Sequence, residues 1–386
     1  MSLNKTYYIE TFGCQANKSD SERIAGDYKA RGWSQVKDWK KAGNIVVNTC
    51  AVRQRAENRA DGFLQNVISY FDKKKVQRPK IILTGCMTHH GEKKLREILP
   101  MVDQVLPINE VGFNQTPLRN NKTHAWIPVS NGCNSFCTYC IVPYSRGREK
   151  SRPQKDIISE VKDLADKGYK EVTLLGQNVN SYGLEKTGIG FRKLLMRDRS
   201  LKASQIPTNQ SQYIKPDSTP PFVQLLQEIS KINQIEKIRF LTSNPWDFWD
   251  ELIDEISNNK KIDRFIHLPV QSGSDKILKK MNRGYTRKDY LTLVDKIRTK
   301  IPDVVLGTDI IVGFPGETEQ DFKKTVDLAK KADFALAFVA QYSPRPGTAA
   351  DRLFQDDIPA ATKKKRWQTL DQLINQGNID ERPRFY

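Results

Sequence analysis

The chain has 386 residues, 38% of them hydrophobic and 28% charged, and a formal net charge of +18. That length accommodates two or three domains with cores of their own. No run approaches the ~18 apolar residues of a membrane span, and the opening MSLNKTYYIETFGC lacks the basic-then-apolar pattern of a secretory leader. A soluble, cytoplasmic protein is therefore expected, with six cysteines that serve metal or redox chemistry and not disulfides. The positive charge favours polyanionic partners such as RNA without identifying one.

The first 125 residues alternate strand and helix signals. TYYIETFG, NIVVNT and KIILTG are apolar runs, and a short strand is expected at DQVLP. Helical spacing follows each run: over KSDSERIAGDYKARG, from about Val52 to Phe71, and across 91–98. This βαβ alternation predicts an open, mainly parallel sheet covered by helices over residues 1–125.

A second series begins at Trp126. WIPVSNG, KEVTLLG, KIRFLTS, RFIHLPV, VVLGTDIIVGF and FALAFVAQYS read as strands, and helical segments lie between them. Six βα units over 126–362 predict a partial (β/α)6 barrel with its chemistry at the carboxyl ends of the strands. Residues 184–221 interrupt it with seven Lys/Arg against three Asp/Glu and no clean periodicity, as expected of an insertion. Residues 363–386 read as a terminal helix or linker that opens on the basic run KKKR, a solvated helix start or a phosphate contact.

Chemistry concentrates at Cys133, Cys137 and Cys140, spaced C-x3-C-x2-C with no fourth cysteine after them. Clustered thiolates favour zinc, copper(I) or an iron–sulfur cluster. A structural zinc site wants four protein ligands, whereas a 4Fe-4S cluster held by three cysteines keeps one iron open. The other three cysteines, Cys14, Cys50 and Cys86, each stand just past a strand of the first domain, at intervals of 36 and 36 residues. Parallel strands place their carboxyl ends on one edge, so these thiols are expected to converge as a second three-cysteine group. His89 and His90 are left outside it, as loop residues.

The three-cysteine loop resembles the signature of radical S-adenosylmethionine enzymes. The phrases FGCQANKSDSE, NTCAVRQRAE, LTGCM, GCNSFCTYCIVPYSRGREKSRP, LLGQNVNSYG, HLPVQSGS, TDIIVGFPGET and YSPRPGT resemble, in order, the methylthiotransferase family of that superfamily. LLGQNVNSYG and CTYCIVPYSRGRE are most similar to its branch that makes 2-methylthio-N6-dimethylallyladenosine in tRNA.

The resemblance implies two 4Fe-4S clusters, an auxiliary one on Cys14, Cys50 and Cys86 and one on Cys133, Cys137 and Cys140 that binds S-adenosyl-L-methionine. It implies two cofactor molecules per turnover, one methyl donor and one source of the 5′-deoxyadenosyl radical that activates C2 of the adenosine 3′ of the anticodon (position 37). Tyr139 is expected beside the adenine. Gln177, Asn178, Gln271, Ser272 and Gly273 are expected to bind the cofactor's methionyl part or ribose, and Gly313 and Gly316 to let the backbone approach its adenine. Arg146, Arg148 and Arg345 are expected to meet substrate or RNA.

The expected partners are tRNA, through its anticodon stem-loop, and an external electron donor such as flavodoxin or ferredoxin. The sulfur source is left open, and a monomer is expected. The family's carboxyl-terminal β-barrel RNA-binding (TRAM) domain is expected to be absent. Thr88, His89 and His90 follow GCM where relatives often carry smaller or amide residues. The alternatives are methylthiolation of threonylcarbamoyl-adenosine or of a ribosomal-protein aspartate and, from another class, a non-catalytic iron–sulfur RNA-binding or electron-transfer protein.

Overall fold

The computed structural model describes residues 5–52, 54–111, 113, 115–187 and 219–376. In the first domain, β1 (Thr6–Phe12), β2 (Ser34–Gln35), β3 (Asn44–Thr49), β4 (Lys80–Gly85) and β5 (Gln104–Val105) form one parallel sheet in the order β2-β1-β3-β4-β5. Successive side chains of a strand point to opposite faces, and the β-branched runs use both. Ile45, Val47, Ile81 and Leu83 pack on Leu64 and Val67 of helix α2 (Gln54–Lys74). Tyr7, Val46 and Ile82 pack on Ile24 and Tyr28 of α1 (Gln15–Ala30). A short helix, α3 (Glu92–Ile98), precedes β5.

The second domain carries the six expected strands: β6 (His124–Pro128), β9 (Glu171–Leu175), β10 (Lys237–Phe240), β11 (Phe265–His267), β12 (Val305–Val312) and β13 (Leu336–Gln341). A small antiparallel pair, β7 (Ser130–Asn131) and β8 (Lys150–Ser151), flanks the cysteine loop. The strands fall into two parallel triplets, β6-β9-β10 and β11-β12-β13. A bridge from Ile238 to Ile262 joins the triplets, with Ile238 N–H donating to the Lys261 carbonyl at 2.8 Å. Six strands in chain order make the partial barrel. The short helix α4 (Val142–Ser145) follows the cysteine loop; α5 (Gln154–Asp166) and the later helix over Arg287–Lys300 cover the barrel, and their Ile157, Val161, Val294 and Ile297 share one core with Ile127, Leu174, Ile266 and Leu306 of the strands.

Two expectations change here. The terminal segment, expected to separate from the barrel at residue 363, belongs to it as far as Gln376: Leu370 and Ile374 join the barrel core. Asn375 accepts from the Ala337 N–H at 3.0 Å and donates to its carbonyl at 2.8 Å, which satisfies backbone groups on the free edge of β13. The KKKR run is also split. Lys363 and Arg366, one helical turn apart, share the inward face: Lys363 Nζ meets the Tyr342 carbonyl at 3.0 Å and Asp356 at 2.6 Å, and Arg366 meets Glu317 at 2.8 Å. Only Lys364 and Lys365 stay exposed. Of the 184–221 insertion, the structure describes a short helix at Leu184–Thr187 and the stretch from Thr219, where Pro221 begins a covering helix; residues 188–218 lie outside the described residues.

One largely buried carboxylate gathers three arginines at the joint between the domains. Glu160 of α5 receives Arg23 of α1 at 3.3 Å, Arg119 of the interdomain segment at 2.5 Å and Arg152 of the barrel at 2.7 Å. Burial opposes its ionisation, but Arg23, Arg152 and Arg119 prevail, and the carboxyl is held below the usual glutamate range. A depressed folded pKa supplies stability that is complete above the unfolded value of about 4.3 and is lost as the pH falls through the folded value. Glu160→Gln, which strands buried cations, is expected to cost about 3 kcal/mol in denaturant unfolding. It should also flatten the decline in stability below about pH 4.3. An unchanged midpoint and slope would refute this account of the joint.

Candidate active site

In the first sheet, Phe12, Thr49 and Gly85 lie in one row across β1, β3 and β4. Cys50 and Cys86 follow that row directly and Cys14 one residue later, so the register brings three thiols to one carboxyl edge. Gly85 makes the approach possible: its φ is +94°, and a Cβ there would stand 2.3 Å from the Thr49 carbonyl oxygen. Cys14 caps α1 and contacts Asn17 Oδ1 at 3.4 Å, and Asn17 is tied in turn to Asn48 at 2.8 Å. Cys50 and Cys86 are buried and hydrogen-bonded to each other. The bond from Cys50, with help from Arg146 and against burial, pulls the Cys86 thiol down, while the same bond and burial push the Cys50 thiol up.

The second group sits in the loop after β7. Gly132, at φ +81°, turns the chain where a Cβ would meet the Arg148 carbonyl at 2.3 Å. Phe136, between the first two cysteines, is also left-handed at φ +45°. The loop is pinned from the far side of the barrel: Thr138 N–H and hydroxyl donate to the Met281 and Lys280 carbonyls, and Asn282 donates to the Phe136 carbonyl. Cys133 and Cys137 are buried, and burial lifts the Cys133 thiol to about 11. Arg283, which the sequence reading missed, donates to Cys137 Sγ at 3.3 Å. Tyr139 packs between the barrel core and a cluster containing Phe314 and Tyr342.

The two groups adjoin. Ile141, one residue past Cys140, packs on Ala51 and Cys86 of the first domain. Arg146, expected to meet substrate, is buried instead: it donates to Cys86 Sγ at 3.2 Å, to Asn131 at 3.1 Å and to Asp20 at 2.6 Å. Arg345 is likewise a strut between domains, bonded to Gln54 at 2.7 Å and to the Val52 carbonyl at 3.1 Å. Both lie in loops at strand ends, where a cross-domain tie and a substrate contact look alike in sequence. Arg148 alone of the three faces solvent, with its guanidinium 4.3 Å from the centre of the Phe136 ring.

At the barrel's carboxyl ends, the residues expected to bind cofactor divide. Ser272 and Gly273 serve packing: the Gly273 N–H donates to Thr325 at 2.9 Å, and a Cβ there would strike the Lys324 carbonyl at 2.4 Å. Gly313 and Gly316 are turn residues with φ of +70° and +76°, and their close neighbours are the Lys363 and Lys280 side chains. Gln177, Asn178 and Gln271 each keep a buried oxygen without a hydrogen-bond partner, as do Ser130, Ser243 and Glu149. Burial, with Asp247 and Glu185 nearby, holds the Glu149 carboxyl well above its usual range. Sequence reading missed Glu149 too, because nothing local marks a glutamate as buried.

These residues fit the cofactors that the sequence implies. Soft sulfur donors come in two threes, buried cations lie against one sulfur of each, and unpartnered polar oxygens ring the strand ends as a polar, cationic ligand requires. Among the described residues, no three His, Cys, Asp or Glu side chains form a site for a single metal ion. The cysteine ligands of a cubane bind separate corners and need not meet at one point.

Comparison with known proteins agrees with this geometry. Residues 127–329 match the profile of the Radical SAM superfamily, and residues 6–107 match that of uncharacterized protein family UPF0004. A tRNA-2-methylthio-N(6)-dimethylallyladenosine synthase of Thermotoga petrophila is 41% identical over 94% of this chain and 80% of its own length. Enzymes of the same name from Thermoanaerobacter pseudethanolicus and Carboxydothermus hydrogenoformans are 41% and 40% identical, over 98% of this chain and 79% and 87% of theirs. Among solved structures, the radical S-adenosylmethionine methyltransferase TsrM of Kitasatospora setae shares the fold at a TM-score of 0.56 and 15% identity, over 90% of this chain and 75% of that one. With both domains matched in this order and relatives 40–41% identical over most of each chain, this chain belongs to the radical S-adenosylmethionine methylthiotransferases, in the tRNA-2-methylthio-N(6)-dimethylallyladenosine synthase branch.

Proposed function

We propose that the chain converts N6-isopentenyladenosine at tRNA position 37 to its 2-methylthio derivative, with two S-adenosylmethionine molecules per turnover. The observation that carries this is the packing of Ile141, next to Cys140, on Ala51 and Cys86, which puts the two cysteine groups side by side. Cys133, Cys137 and Cys140 hold the cofactor-binding cluster, and Cys14, Cys50 and Cys86 hold the auxiliary one. When bound, the clusters and S-adenosylmethionine supply the hard chemistry, a radical able to open an unactivated aromatic C–H bond and the sulfur that replaces the hydrogen.

The chain's own residues bind, orient and exclude water. Glu149, with its free Oε1, suits the cofactor's ammonium, and Gln177, Asn178 and Gln271 suit its other polar groups. Tyr139 flanks the adenine. Arg148, Phe136 and the exposed Tyr144 form a cationic and aromatic rim at the mouth, suited to phosphate and to unstacked bases. The net charge of +18 draws RNA toward it. An external flavodoxin or ferredoxin supplies electrons to a monomeric, cytoplasmic enzyme. Among the described residues no helix is long and apolar enough to cross a membrane.

Three measurements test this. Cys133→Ala is expected to abolish 5′-deoxyadenosine formation, whereas Cys50→Ala should keep it and lose the methylthio product in mass spectrometry of tRNA nucleosides. A mark found only on a ribosomal protein or on threonylcarbamoyl-adenosine would redirect the assignment. Reconstituted protein should hold about eight iron atoms, as two four-iron clusters require. Arg148→Ala should weaken tRNA binding about equally for all sequences and lower the salt slope by about one; an unchanged slope would remove Arg148 from the RNA surface.

A further inference from the structure

Two arginines are buried against cysteine sulfur, one in each group, and their surroundings differ. Arg283 donates Nη1 to Cys137 Sγ at 3.3 Å, Nη2 to the Pro269 carbonyl at 2.8 Å and Nε to the Tyr285 hydroxyl at 3.0 Å. Trp246 lies on its guanidinium, 4.6 Å from ring centre to carbon. Among the described residues no carboxylate comes within ion-pairing distance of it, so it is a bare buried cation whose nearest anionic partner is a cysteine sulfur. Arg146 donates Nε to Cys86 Sγ at 3.2 Å, but its Nη2 is paired with Asp20 at 2.6 Å. Its side chain is 4% exposed and that of Asp20 14%.

A cation or hydrogen-bond donor at a ligand sulfur stabilises the form of an iron–sulfur cluster that carries the extra electron, and so raises its reduction potential. The effect is strong where water is excluded. A carboxylate on the same cation subtracts from it.

We propose that Arg283 and Arg146 are positioning residues that set the potentials of the two clusters separately. Arg283 does so with its full charge at the cofactor-binding centre, and Arg146 with a charge partly cancelled by Asp20 at the auxiliary centre. This rests on the assignment of the six cysteines to two four-iron clusters. It goes beyond that assignment by naming what makes the two centres unequal toward an incoming electron. Arg146 has a second consequence: it is carried by the barrel and touches a ligand of the other domain, so the auxiliary centre has its complete environment only while the domains are docked.

The test is a redox titration of the reconstituted full chain, followed by electron paramagnetic resonance. The cofactor-binding centre is recognised by its spectral response to S-adenosylmethionine. Arg283→Gln should make that centre about tenfold harder to reduce, about 59 mV for one electron, and leave the auxiliary centre in place. Arg146→Gln should lower only the auxiliary potential, by less. Asp20→Asn, which frees the charge of Arg146, should raise it. Arg283→Lys and Arg146→Lys should restore most of each shift, which a merely structural peg would not require. About eight irons with both potentials unmoved in every variant would overturn the proposal alone. Both centres moving together in every variant would also overturn it, as general loosening. About four irons in the unaltered chain would overturn the cluster assignment and this proposal with it.

Discussion

Parallel strands deliver every carboxyl end to the same edge, and this chain turns two such edges toward each other. The rest of the structure follows from keeping them there. The first edge brings Cys14, Cys50 and Cys86 together by register, without a shared loop. The second supplies its cysteines from a single loop and needs pins from the Lys280–Asn282 turn to hold it. Between them, Ile141 fills the apolar gap, and the ties made by Arg146, Arg345 and Glu160 fix the distance. Each tie uses buried charge, which is a weak source of net stability but a strong penalty against any misfit. Such ties favour one docking geometry over others.

That geometry explains why no acid–base constellation is needed at the mouth. The C2 hydrogen of an adenosine is not acidic, so a poised histidine or carboxylate would not help remove it. His89 and His90 follow Cys86; burial lowers the pKa of His89, against the bond of its Nδ1 to the Cys86 carbonyl at 2.9 Å. Its Nε2 is buried and has no protein partner among the described residues. Glu149 is the carboxylate at the mouth; burial, with Asp247 and Glu185 nearby, raises its pKa and leaves Oε1 without a protein partner among the described residues, and a cation bound beside it would offset that burial cost.

The cysteine layout was legible because its cause is periodic. One βα unit of 36 residues returns the chain to the same edge, so equal intervals alone place three thiols together. The six barrel strands were legible for the same reason. Side-chain direction was not. Arg146 and Arg345 occupy loops that look like ligand loops, and only the docked domains reveal that they point at the other domain. Glycines past a strand end are equally ambiguous: Gly273 makes room for a helix backbone, and Gly313 for the Lys363 stem. Arg283 follows a short helix, with no sequence neighbour to announce the sulfur that lies 146 positions away.

The unpartnered oxygens at the strand ends carry an energetic implication. Ser130, Gln177, Asn178, Ser243, Gln271 and Glu149 each bury one polar atom that no protein group satisfies. An unmet buried acceptor costs about 1–3 kcal/mol, so six together rival the 5–15 kcal/mol by which a typical domain is stable. A fold does not retain such a set without a return. Water or a polar ligand must occupy the mouth, and a ligand that satisfies these atoms only in the folded state stabilises that state in proportion to the logarithm of its concentration over its dissociation constant. The same atoms line the strand ends on both sides of the seam between the two strand triplets, which backbone hydrogen bonds of Ile238 with Lys261 and Asp263 and of Ser243 with His267 also cross. A polar ligand that meets these atoms therefore bonds to both triplets at once.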